Sequence, residues 1–105
     1  MFNKETEAKI KEAIKLEYEN AVINYGTKYH TLHEAYAVLL EEVEEAHQDM
    51  TFIYDHLKTA WEEIKADNEL AALEEIRMIW LLVRELAKEA VQVAAVAQKI
   101  IGDDK

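Results

Sequence analysis

Leu39-Leu40-Glu41-Glu42-Val43-Glu44-Glu45-Ala46 crowds four acids into little more than one helical turn, yet an apolar rhythm runs through them. Followed outward, the rhythm does not break. Leu32, Tyr36, Leu39, Val43, Ala46, Met50, Ile53, Leu57, Ala60 and Ile64 alternate steps of four and three, the period of one helical face. No Gly or Pro interrupts them. The stretch predicts one helix of roughly 35 residues, on the order of 50 Å long. Just before it, Thr31-Leu32-His33-Glu34 reads as a capping box, in which the hydroxyl and the Glu34 carboxylate satisfy exposed amides of the first turn.

Asp67-Asn68 is the next break, and either residue can cap a further helix. From there Leu73, Ile76, Trp80, Val83, Ala87, Ala90, Ala94, Ala97 and Ile101 repeat the pattern. Leu82, Leu86, Val93, Val96 and Ile100 add a second apolar row. Gly102 stops this helix, and Asp103-Asp104-Lys105 reads as a frayed tail. Upstream, Asn3 caps a first helix carrying Ile10, Ile14, Ala21, Val22 and Tyr25, which Gly26 ends. Residues 26–30 form a short connection. A tight turn between two long helices makes an antiparallel hairpin. The expected fold is therefore all-α: a long antiparallel helical hairpin plus an N-terminal helix, in one domain spanning 1–105. The third helix has a wider apolar face than one partner covers, so the hairpin is expected to assemble into an oligomeric helical bundle.

Composition agrees. Of 105 residues, half are hydrophobic, two are Gly and none is Pro, as suits a nearly all-helical chain. The net charge of −10 argues against nucleic acid as a partner, since phosphate binding needs clustered Lys and Arg. It suits recruitment of a divalent cation. The absence of Cys excludes a disulfide scaffold and a thiolate zinc site. Met1-Phe2-Asn3-Lys4-Glu5 has no signal-peptide pattern. No stretch approaches the ~18 uncharged apolar residues of a membrane span. A soluble, cytoplasmic protein is expected.

Positions equidistant from the turn face each other in a hairpin. Glu45 and Glu89 each lie 22 residues from Asp67, and Glu42 and Gln92 each lie 25. Two pairs spaced i,i+3 thus reach one level of the bundle. Glu89 falls in an otherwise apolar row, where a lone carboxylate is costly. Several carboxylates together repel one another unless a cation sits among them. Mg²⁺ prefers oxygen ligands, and two or three carboxylates plus phosphate oxygens suit it. The competing reading is an antiparallel coiled coil with solvated acids beside its seam.

At these residues the sequence resembles the MazG-like, all-α nucleoside triphosphate pyrophosphohydrolase superfamily. Its signature is E-E-x-x-E on one helix and E-x-x-D on a later antiparallel helix. Glu41-Glu42-Val43-Glu44-Glu45 matches the first part, and Glu89-Ala90-Val91-Gln92 matches the second except that Gln replaces Asp. The flanking text looks like small phage and prophage members, and the similarity covers most of residues 30–101. The resemblance implies hydrolysis of a nucleoside triphosphate to monophosphate and pyrophosphate, with Mg²⁺ or Mn²⁺ as cofactor. It implies metal ligation by Glu42, Glu45, Glu89 and Gln92, with Glu41 and Glu42 as the catalytic pair and Glu41 a ligand or the residue positioning water. It also implies a homodimer or homotetramer. Gln92 brings no charge and takes no proton, so the site has one negative charge fewer than the pattern. The alternative function is a catalytically inactive helical oligomer that acts as a binding or assembly module.

Other polar residues have plainer readings. His30 and His33 suit capping or surface roles, and His47 and His56 suit helix surfaces or edges. For Lys88, Arg84 and Lys99 solvated pairing is expected, although each is a cation that can contact phosphate. Trp61, Trp80, Phe52 and Tyr54 fit core or interface positions.

Overall fold

The structure, a computed structural model, describes residues 3–26 and 28–102. The predicted tail at 103–105 lies outside them. Three α-helices follow in order: α1 (Lys4–Tyr25), α2 (Leu32–Lys65) and α3 (Glu69–Ile101). The described residues contain no strand, and no helix among them is long and apolar enough to cross a membrane. Helices α2 and α3, of 34 and 33 residues, pack as an antiparallel hairpin.

Local chemistry sets the helix ends. The Asn3 side chain accepts the Thr6 amide at 2.8 Å, and the Gly26 amide closes α1 onto the Val22 carbonyl at 2.8 Å. Gly26 has φ +85°, a backbone that L side chains rarely adopt. At α2, the Glu34 amide donates to the Thr31 hydroxyl at 3.0 Å. The Glu34 carboxylate reaches back one residue further than a standard capping box and accepts the His30 amide at 3.2 Å. Between α2 and α3, Asp67 takes φ +58°, which Asp tolerates better than most residues. Asn68 is the cap, its side chain accepting the Ala71 amide at 3.4 Å.

The chain divides into two compact units. One comprises Met1–Val43 with Glu89–Lys105, the other Glu44–Lys88. In the first, α1 contributes no fully buried residue; Ile14, Ala21 and Val22 are half-buried, while Ile10 and Tyr25 stay exposed. Ala35 and Ala95 are its buried apolar residues. In the second, Ile53, Ala60 and Ala72 are buried. His56 of α2 meets Glu75 of α3 at 2.6 Å.

Four of these five buried residues are alanines, which leave little side chain to hold the helices apart. Most of the apolar stripe read from sequence is not used in this packing; on α3 it is the second row, Leu82, Leu86, Val93, Val96 and Ile100, that is half-buried. Leu57, Trp61 and Ile64 on α2, and Leu73, Ile76 and Trp80 on α3, are about half exposed. No large side chain among the described residues is fully buried.

Ala60 is 2 % exposed, so added volume there has nowhere to go. Ala60→Leu is expected to lower stability by about 1–3 kcal/mol. Chemical denaturation followed by helical circular dichroism measures this; an unchanged midpoint would show that position 60 lies outside the helix contact.

Candidate metal centre

Helices α2 and α3 bring acids from distant parts of the chain together. Glu42 and Glu89 are both half-buried, and a carboxylate oxygen of one lies within 4.8 Å of an oxygen of the other. Helix α2 runs unbroken past Glu42, so Glu45 follows one turn on along the same face. Glu45 is exposed and, with Glu42 and Glu89, makes up the three acids of the candidate centre. Glu41 and Glu44 are exposed and are not among these three. Glu41 is one residue from Glu42, and so points about 100° around the helix from it.

Gln92 is half-buried one turn beyond Glu89. Its hydrogen bonding is satisfied when the amide nitrogen faces the acids. It then donates to Glu42 Oε2 at 3.1 Å and to Glu89 Oε2 at 3.2 Å. Turned the other way, its oxygen would face carboxylate oxygens, an acceptor against acceptors that only a cation between them relieves. Sequence reasoning cast Gln92 as an oxygen ligand alone; the geometry shows that its nitrogen fits as a donor.

The donor set is all oxygen: three carboxylates and one carboxamide. Such hard ligands suit Mg²⁺ or Mn²⁺, and nothing in the set favours a soft metal. These residues therefore fit the cation that the sequence pattern implies.

A cavity of about 520 Å³ opens beside the acids, with Tyr29, Glu34, Val38, Glu42, Gln92 and Lys99 among its lining residues. This size is typical of small-molecule sites. Tyr29 comes from the α1–α2 connection. Burial, then the charges of Glu34 and Glu42, hold its hydroxyl above the ordinary tyrosine range, so it is a neutral phenol near pH 7. Lys99 is only 6 % exposed, and its Nζ sits 4.2 Å from the centre of the Tyr29 ring. Solvated pairing, expected for Lys99, does not hold. It does describe Lys88, which pairs with Glu85 at 3.3 Å. Arg84 lies over Trp80 at 4.9 Å.

His30, His33 and His47 are exposed. His56, expected on a surface or edge, is instead partly buried against Glu75. The register counted from Asp67 did not signal that pair, since His56 lies 11 residues before the turn and Glu75 eight after it; Glu42 and Glu89 show the same three-residue offset. Tyr29 had no signal either, because a loop residue belongs to no helical face.

Compared with protein-family models, curated proteins and solved structures, the chain matches none.

Proposed function

We propose that this chain is a Mg²⁺-dependent nucleoside triphosphate pyrophosphohydrolase of the MazG-like type, acting in the cytoplasm on a nucleoside or deoxynucleoside triphosphate. The observation that carries the reading is the meeting of Glu42 and Glu89 within 4.8 Å, with Glu45 one turn on from Glu42 along the same helix, beside a cavity of ligand size. Glu42, Glu45 and Glu89 would hold the cation, and Gln92 would rotate its amide to present oxygen. A bound Mg²⁺ supplies Lewis-acid polarisation of phosphoryl oxygens and lowers the pKa of a coordinated water. In the overall reaction, a water oxygen attacks the α-phosphorus and the bridging bond to the β-phosphate breaks. Pyrophosphate leaves, and a carboxylate takes the water's proton. Glu41, exposed beside these residues, would orient that water, and Glu42 would be among the residues that hold the cation.

A second reading has its own observation. With its nitrogen facing the acids, Gln92 donates to Glu42 and Glu89 at 3.1 and 3.2 Å, so the amide would do part of what a cation would do. In that case the chain is an inactive helical oligomer, a binding or assembly module.

Both readings include a second copy of the chain. Leu57, Trp61, Ile64, Leu73, Ile76 and Trp80 expose more apolar surface than a lone hairpin keeps in water, and self-association into a dimer or tetramer would cover it.

Three outcomes are expected. With Mg²⁺ or Mn²⁺ and a panel of standard and modified nucleoside triphosphates, the protein releases pyrophosphate, and Glu42→Gln or Glu45→Gln abolishes release. No turnover of any nucleotide at high enzyme concentration selects the inactive module. Gln92→Asp restores a negative charge and removes the amide donor; calorimetry with Mn²⁺ should show affinity rising about tenfold. Unchanged or weaker binding would exclude the missing charge as a limit on the site. Light scattering at micromolar concentration should give at least twice the 12.2 kDa chain mass, and Leu57→Glu with Trp80→Glu should reduce it. A monomeric wild-type mass removes the second copy.

A further inference from the structure

Lys99 is a charged side chain placed where charge is expensive. It is 6 % exposed, and a buried ammonium is costly unless something compensates it. Two compensations are visible. Its Nζ lies 4.2 Å from the centre of the Tyr29 ring, within range of a cation–π interaction. It also sits in the last turn of α3, where the helix dipole favours a cation. Both favour a cation at this place, yet neither needs Lys99 to line a cavity.

Yet Lys99 does line one, and Glu42 and Gln92 line the same one. On α3, Lys99 lies seven residues past Gln92, two turns on along one face and about 10 Å away. Val96 occupies the wall between them. The cavity thus has an oxygen-rich end, suited to a cation, and a fixed cationic end two turns away. Lys28 also lines it, and so do the carboxylates of Glu17 and Glu34. A polyanion that carries its own divalent cation satisfies both ends, with the cation toward the carboxylates and a free phosphate oxygen toward Lys99.

We infer that Lys99 binds the terminal phosphate of a nucleoside triphosphate whose inner phosphates lie at the Glu42–Gln92 end of the cavity. The inference rests on the pyrophosphohydrolase reading and adds how the site counts phosphates. Lysine is suited to the task, because its ammonium is a compact point charge that binds phosphate without demanding one orientation. The Tyr29 ring limits where that charge can move. A monophosphate held at the acidic end leaves Lys99 without its anion, so triphosphate is preferred over monophosphate product.

Calorimetry on the full chain with Mn²⁺ present tests this. The ligands are inorganic tripolyphosphate, α,β-imido analogues of the four standard deoxynucleoside triphosphates, and the matching monophosphates. Wild-type protein should bind triphosphates about ten- to a hundredfold more tightly than monophosphates, the worth of one hydrogen bond to a charged group. Lys99→Met should abolish most of that preference, and Lys99→Arg should retain it. Mn²⁺ affinity should stay the same in both. Lys99→Gln serves as the uncharged variant if the methionine form does not give the wild-type helical circular dichroism. If an uncharged variant keeps the wild-type preference, or the wild type has none, the Lys99 assignment is overturned while the pyrophosphohydrolase reading stands. If the wild-type chain binds neither Mn²⁺ nor any triphosphate, that reading fails and this inference fails with it.

Discussion

The close approach of α2 and α3 is the constraint on which the site depends. Long helices stay in register when side chains at their contact leave little slack. Here four of the five buried apolar residues are alanines, Ala35 and Ala95 in one unit and Ala60 and Ala72 in the other, with Ile53 the fifth. Alanine leaves little side chain to hold two helices apart. Glu42 and Glu89 oxygens fall within 4.8 Å. Leu in the same places would widen the contact and move the carboxylates apart. The arrangement of the acids is therefore a consequence of which residues are absent from the seam as well as which are present.

Packing on alanine has a second consequence. Burial of a large side chain is worth about 1.5–3 kcal/mol, and no large side chain among the described residues is fully buried. The seam fixes geometry and contributes modestly to stability. Trp61 and Trp80, at 56 % and 59 % exposed, hold apolar area that the hairpin leaves unused. Stabilisation by self-association fits this division of labour, with one face of each helix setting register and the other supplying area.

Much of the fold was legible because its signals are local. Asn3, Thr31, Glu34 and Asn68 act on amides within four residues of themselves, so their chemistry can be read in place. The meeting of Glu42, Glu89 and Gln92 was legible for a different reason: an unbroken hairpin converts distance from the turn into position. What the pattern could not decide was which side of a wide apolar face meets the partner helix. Leu57 and Ala60 both belong to the α2 stripe, yet Ala60 is buried and Leu57 is half exposed. Periodicity assigns a residue to a face, and packing then chooses among its edges. Lys99 was visible as a cation near Gly102, but its burial depends on Tyr29, whose place is set by a connection rather than by a period.

Gln92 shows how one side chain can serve two states of a site. A carboxylate in its place would add a fourth acceptor to a cluster of acceptors, and repulsion would have to be met by a cation or by solvent. The carboxamide avoids this. With nitrogen inward it donates to Glu42 and Glu89, and with oxygen inward it can ligate a cation. Turning the amide exchanges one role for the other without moving the backbone. The exchange would have a cost, because the two hydrogen bonds made with nitrogen inward would be lost if a cation bound, and binding would be weakened by their worth, about 0.5–1.5 kcal/mol each or more against charged partners. Gln at this position would therefore favour a metal-free pair of helices over cation affinity, whereas Asp would do the reverse. On this argument the identity of residue 92 tunes the balance between a self-sufficient helical seam and a site that requires its metal.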